Sequence, residues 1–253
     1  MMEFTDRVLI LRVGKFRETD LWVRFLSPKR GILSAFAFGG SRSRRRFSGC
    51  LDVFNDVLFS IKTTRNGLYN ALQEGTLMGA PVRLRSDWQR LGVAANCVKF
   101  VEAFGVAPDG AQAAYALVRD ALAMLEDGAP LPINLPVLFR ARFVFDQGYS
   151  MNLTECFRCG KTLRQAPGTF FLVREGRFAC SFCPPSASDF SMAVHHETLD
   201  ALAHVQDYSP PSWRGGILAV LPPAAHRECA RVVDAFVEHH VGLHWDTSRF
   251  VRV

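Results

Sequence analysis

The sequence predicts an α+β multi-domain protein in which a small N-terminal β-barrel precedes an α-helical domain carrying a cysteine-rich insertion. Three observations lead there. Residues 1–80 contain five short runs rich in Val, Leu, Ile and Phe, partly alternating and separated by turn residues. From Trp88 onward the apolar period becomes helical. Two Cys-x-x-Cys pairs, 20 residues apart, interrupt that helical part.

The strand-like runs are Arg7 to Phe16, Leu21 to Leu26, Ile32 to Phe38, Val53 to Lys62 and Leu68 to Leu72. Between them lie Arg17-Glu18-Thr19-Asp20, Ser27-Pro28-Lys29-Arg30-Gly31, Gly39-Gly40-Ser41 and Arg65-Asn66-Gly67, all turn chemistry. Five short strands in so few residues suit a small closed barrel. Among such barrels the OB-fold is the one that often holds single-stranded nucleic acid, with an SH3-like barrel as the competing reading. Residues 1–80 are therefore expected to form an OB-fold DNA-binding domain, and residues 81–253 a helical domain.

Within the second part, Gln89 to Phe104 is apolar nearly all round, and Ala111 to Leu125 places Ala114, Val118, Ala121, Leu122 and Leu125 on one face. Pro130, Pro132 and the break after Asp127 precede a buried helix expected over Asn134 to Gln147. Helical pattern returns at Glu197 to Val205 and at Ala225 to Val241. Cys156, Cys159, Cys180 and Cys183 mark a zinc-ribbon-like insertion at about residues 153–188, with a hairpin expected from Thr169 to Phe178 between its knuckles. Two such pairs supply four thiolates to one tetrahedral Zn²⁺, and with four protein ligands no coordination position stays open, so the metal is expected to be structural. Cys50, Cys97 and Cys229 read as buried apolar residues.

Charge is unevenly placed. Residues 1–80 hold 13 Lys and Arg against 7 Asp and Glu, whereas residues 81–253 hold 17 against 17, so the first part carries the whole net charge of +6. A basic module joined to a neutral body suggests a polyanion-binding domain attached to one with other work. The strongest basic feature is Arg42-Ser43-Arg44-Arg45-Arg46, opened by Gly39-Gly40 and followed by Phe47. Arginines on such a loop can reach successive phosphates, and Phe47 offers an adjacent plate for a base. Lys15, Arg17, Lys29 and Arg30, at strand ends or turns, could extend the track.

Several classes are disfavoured. The longest stretches without Asp, Glu, Lys or Arg are 12 residues, at Gly128 to Phe139 and Gly215 to His226, short of the roughly 20 needed to span a bilayer. Glu3, Asp6 and Arg7 precede any apolar run, so no secretory signal is visible and a cytoplasmic location is expected. There is no Walker loop, no GxSxG and no carboxylate cluster with Mg²⁺ spacing. His195-His196-Glu197 lies downstream of the cysteines, the reverse of the order in zinc deaminases. His239 and His240 suit the C-terminal dipole of the last helix. A binding protein that is not an enzyme is the expectation. The alternative is an OB/zinc-ribbon subunit of another nucleic-acid enzyme, although the five lysines fall in no recognisable motif.

The opening ILRVGKFRETDLWVRFLSPKRGILSAFAFGG, the basic stretch SRSRRRFSGCLDVFNDVLFSI, the first helical region and the closing SRFVRV together resemble the RecO family of bacterial DNA repair proteins over essentially the whole chain. Glu18, Gly31, residues 39–46 and Phe54 fall on that family's recurrent positions, and the four cysteines match its zinc-binding variant. The resemblance implies a recombination mediator that binds single- and double-stranded DNA and anneals strands coated by single-strand-binding protein. It further implies action with RecR, and often RecF, to load RecA, in a cytoplasmic, nucleoid-associated setting. Segment Ser186 to Val194 matches nothing assignable. The acidic, apolar tail of single-strand-binding protein would need an apolar pocket ringed by Arg or Lys on the helical domain, with Arg140 and Arg142 as candidates, unless they are charged pairs supporting the fold.

Overall fold

The computed structural model describes residues 2–64, 67–131, 134–213 and 221–253. It divides into two compact units, Met1–Gly92 with Gly105–Ala129, and Val93–Phe104 with Pro130–Val253. The turn at Arg65-Asn66, the break at Pro132 and the start of the second uncharged run, at residues 215–220, lie outside the described residues.

The first unit is built on a closed five-stranded barrel. Strands β1 (Met2–Lys15), β2 (Leu21–Ser27), β3 (Gly31–Ala37), β4 (Asp56–Thr63) and β5 (Asn70–Gly79) run in the order β1-β2-β3-β5-β4, with β4 hydrogen-bonded back to β1. All pairings are antiparallel except β3 with β5. This Greek-key return is the OB arrangement. Alternation decides which side chains point inward: Val23 and Phe25, Ala35 and Ala37, and Val57, Phe59 and Ile61 fill the barrel with Val8, Ile10 and Leu72.

Three strands differ from expectation. β5, expected over Leu68 to Leu72, runs on to Gly79 because it pairs with β4 as far as Asp56. β1 begins at Met2 because Met2 to Leu9 pair along the whole length of β4, a long-range ladder that sequence period does not reveal. β4 begins only at Asp56, because Phe54 adopts φ 68° in a turn where its N–H donates to Ile10 O at 2.8 Å and Asn55 O accepts from Ile10 N–H at 2.9 Å.

The unit around the barrel runs past residue 80. It takes in α1 (Arg83–Ser86), the start of α2 (Trp88–Phe104) and α3 (Pro108–Glu126), whose buried face includes Ala111, Ala114, Val118, Ala121, Leu122 and Leu125. The Glu126 carboxylate accepts the N–H groups of Val82, Arg83 and Leu84 at 2.8–3.1 Å. Burial alone would raise its pKa, but these amides outweigh that and hold it below the usual range.

In the second unit α4 (Leu135–Asp146), buried on nearly every side, packs against α5 (His196–Asp207) and α7 (Pro223–Phe236), with the short α6 (Pro210–Trp213) after α5. Phe143 of α4 meets Phe100 and Phe104 of α2 edge-on, with ring centroids at 5.5 and 5.1 Å. The last helix does not stay α-helical to Val241: from Val237 it becomes a π-turn that ends at Gly242, φ 71°. The insertion contains a three-stranded sheet, β6 (Thr169–Leu172), β7 (Arg177–Cys180) and β8 (Ser191–Val194), in the order β7-β6-β8. β8 occupies part of the segment that resisted assignment from sequence. A terminal hairpin of β9 (Leu243–Asp246) and β10 (Arg249–Arg252) closes the chain. No helix among the described residues is long and apolar enough to cross a membrane.

Candidate nucleic-acid interface and metal centre

The arginine loop leaves β3 through Gly39, φ 65°, and is pinned from three sides. Gly39 N–H donates to Asp20 Oδ1 at 2.7 Å, and Ser41 donates through both N–H and Oγ to Thr19 O, which fastens the loop to the β1–β2 turn. Arg46 is the third fastening. Its guanidinium donates to Phe38 O at 2.6 Å and Gln73 O at 3.4 Å, while its carbonyl accepts from Gly75 N–H. Arg42, Arg44 and Arg45 project from this held loop, exposed, and no described residue pairs with their guanidinium groups. The four arginines thus divide into one anchor and three free cations.

Phe47 is the plain correction. It was expected as a plate for bases, but it is 3% exposed, inside the barrel, edge-on to Phe59 with Arg46 above its ring. The loop must cover the open barrel end, and an apolar ring is what closes it.

The available aromatic surface lies elsewhere on the unit. Phe16 in the β1–β2 turn, Phe36 of β3, Phe38 just beyond it and Tyr69 before β5 form one cluster, with centroids 4.6–6.2 Å apart. Phe16, Phe38 and Tyr69 are exposed, and Arg17 lies 5.2 Å over the Phe16 ring. The β2–β3 face and the loops joining strands 1–2 and 4–5 are where OB barrels take oligonucleotides. Sequence reasoning missed this cluster. Its signal was present in Phe36-x-Phe38, two rings on one face of a strand beside the arginine loop.

The remaining basic candidates separate. Lys15 ends β1, and Arg17, in the turn after it, joins the cluster over the Phe16 ring. Lys29 and Arg30 occupy the β2–β3 turn, at the far end of those strands, ~20 Å away at about 3.3 Å per residue. Arg30 there stacks on Phe4 at 4.0 Å. Arg140 and Arg142, in the second unit, are committed to the fold: Arg140 to Asp234 at 2.6 Å, Arg142 to Asp146 at 2.8 Å and to the Val205, Gln206 and Tyr208 carbonyls at the end of α5.

Also in the second unit, Cys156, Cys159, Cys180 and Cys183 bring their sulfurs within 4.8 Å of one another. The Cys159–Cys180 separation, 3.7 Å, is the edge of a tetrahedron with metal–sulfur bonds of about 2.3 Å. The knuckles form because Gly160, φ 70°, turns its N–H to Cys156 O and Cys183 N–H turns to Cys180 O, both at 2.9 Å. Burial disfavours the Cys156 thiolate, but backbone N–H groups of Cys180, Cys159 and Arg158 donate to it and bring its pKa down to about 6. The neighbouring sulfur of Cys159 pushes Cys183 up to about 12, so a bound metal ion would be needed for four such thiolates to ionise together. The cluster can hold a metal ion. Cys50, Cys97 and Cys229 are buried apart from it.

A family model described as "Recombination protein O N terminal" matches residues 1–80, and one described as "Recombination protein O C terminal" matches residues 85–250. The chain is 52% identical over 252 residues to the DNA repair protein RecO of Oleidesulfovibrio alaskensis, covering 100% of both chains. It is 50% identical over 255 residues to that of Nitratidesulfovibrio vulgaris, again covering 100% of both. At greater distance, it is 31% identical over 277 residues to the protein of the same name from Anaeromyxobacter sp. strain K, covering 97% of this chain and 96% of that one.

Proposed function

The chain belongs to the recombination protein O family, and on that footing we propose that it is a recombination mediator that binds single- and double-stranded DNA and anneals complementary strands. Its part in DNA repair is set by the family; the mechanism is our reading. The observation that carries it is the pinned loop presenting Arg42, Arg44 and Arg45 on the same barrel as the Phe16–Phe38–Tyr69 cluster. Phosphate neutralisation supplies binding without base preference, and exposed rings supply stacking once bases are unpaired.

Annealing needs no chemical energy in this reading. Two strands repel through their phosphates, and a protein that neutralises both lowers the encounter barrier. We take the protein to be non-enzymatic and cytoplasmic, and to act with RecR and RecF in loading RecA. For the tail of single-strand-binding protein, a groove of about 520 Å³ in the second unit offers Val173, Phe190 and Met192 beside Arg231 and His239, with Glu238 also in its wall. This is the combination an acidic, apolar peptide needs, and it replaces Arg140 and Arg142 as the candidate contact. The metal is one structural Zn²⁺ per chain held by Cys156, Cys159, Cys180 and Cys183.

A fluorescence annealing assay tests the reading. The purified protein should accelerate pairing of bare strands, and of strands coated by single-strand-binding protein, without ATP. No acceleration over spontaneous pairing, or dependence on ATP, returns the protein to the alternative of a subunit of a nucleic-acid enzyme.

A further inference from the structure

We infer that the metal knuckles of the second unit form a second binding surface for single-stranded nucleic acid, one that grips unpaired bases by stacking. Phe157 directly follows the ligand Cys156, and Phe182 lies between the ligands Cys180 and Cys183. These residues are 46% and 65% exposed, although the nearby Cys156 and Cys180 are buried. Their backbones are fixed: Phe157 N–H donates to Phe178 O at 2.8 Å, and the Cys183 N–H to Cys180 O bond closes the turn carrying Phe182. A clamp that rigid presents both rings without an ordering cost at binding.

The charge around them selects the partner. Residues 153–188 hold five Lys and Arg against two Asp and Glu, in a part of the chain that is otherwise acidic or neutral. Arg158 is used internally, reaching Pro184 O and Asp189 at 2.5 Å, and Arg164 pairs with Asp200. Lys161, Arg174 and Arg177 are left exposed and outside any ion pair among the described residues, with the Arg177 guanidinium 4.7 Å over the Phe157 ring. Beside Phe157 opens a groove of about 700 Å³ lined by Tyr149, Ser150, Asn152, Arg177 and His240. Glu155 and Glu175 also line it, so it suits the polar edge of a base rather than a phosphate. The Phe157 face under Arg177 and the exposed Phe182 ring, on a net basic segment whose groove is lined by hydrogen-bonding groups, fit a single strand better than an apolar peptide.

The test compares the full-length protein with Phe157→Ala/Phe182→Ala and Phe157→Leu/Phe182→Leu, each checked for metal content. Binding is measured to an oligothymidylate and to a duplex of equal length over a range of salt. Both variants should lose at least ~5-fold per ring on the single strand, the equivalent of about 1 kcal/mol for a stacked base. Duplex affinity and the salt slope should not change, since no phosphate contact is removed. A metal-retaining variant with unchanged single-strand affinity, or with equal loss on both substrates, overturns the inference; if the alanine pair sheds its metal, the leucine pair decides. Failure of the proposed DNA-binding function looks different: the wild type itself would not bind.

Discussion

At the scale of the residue, four adjacent-looking arginines do two kinds of work. Replacing Arg42, Arg44 and Arg45 together by Ala should weaken binding to every DNA sequence alike and lower the slope of log affinity against log salt by roughly 2 to 3, at about 0.7–0.9 per phosphate contact. An unchanged slope would mark the loop as mere solvated surface. Arg46→Ala should behave differently, because that guanidinium spends its hydrogen bonds on Phe38 O and Gln73 O. Its expected signature is lost stability, about 1–2 kcal/mol by denaturant titration, together with a loosened loop. Gly31 is a second residue whose role is backbone geometry. It sits at φ 72°, and a Cβ there would lie 2.0 Å from Val106 O, an atom that also accepts Ile32 N–H. Gly31→Ala should destabilise the barrel unit by ~2 kcal/mol or more, read as a lower thermal midpoint.

At the scale of the element, the insertion is a small sheet with little surface to bury, and a metal held by its four cysteines would close it. One Zn²⁺ per chain is expected in protein purified under reducing conditions without added metal; a content near zero, or two disulfides among these cysteines, would remove the assignment. Cys156→Ser or a strong chelator should unprotect β6 to β8 in hydrogen exchange and lower solubility. Duplex binding should stay within about 2-fold, because the proposed phosphate contacts of the barrel belong to another compact unit. The end of the last helix is tied to the same insertion. His240 Nε2 lies 2.8 Å from Val173 O, its ring rests on Phe236, and Gly176 leaves the room for it, since a Cβ there would meet Nε2 at 2.8 Å. The helix dipole expected to explain this histidine is secondary to a contact 67 residues away in sequence.

At the scale of the whole molecule, the proposed mediation would need strand capture and contact with the coating protein, and the proposal assigns the first to the barrel unit and the second to the groove of the other unit. The Arg42/Arg44/Arg45 variant should therefore lose annealing on bare and coated strands. Substituting Arg231→Ala with Met192→Ala, in the groove of the second unit, should impair annealing mainly on coated strands. Equal effects of both variants on both substrates would show that the tasks are not divided this way.

Much of this was legible in the sequence. Alternation in Val57-x-Phe59-x-Ile61 and the helical period of Ala111 to Leu125 are local consequences of one face meeting a core, and Cys-x-x-Cys spacing is a local consequence of a tetrahedral ion. The fold class, the gathering of the four cysteines and the basic loop follow from such short-range rules. Tertiary structure alone decided what depends on which distant groups arrive. Phe47 turned inward because the barrel end had to be closed. Arg46 became an anchor because Phe38 O and Gln73 O came within reach, and Lys29 parted from Arg42 because a strand's length lies between them. β8 formed because β6 offered an edge, not because Ser191 to Val194 has a strong strand pattern of its own. Propensity and spacing act over a few residues; hydrogen-bond partners and burial are assigned only when the chain has closed on itself.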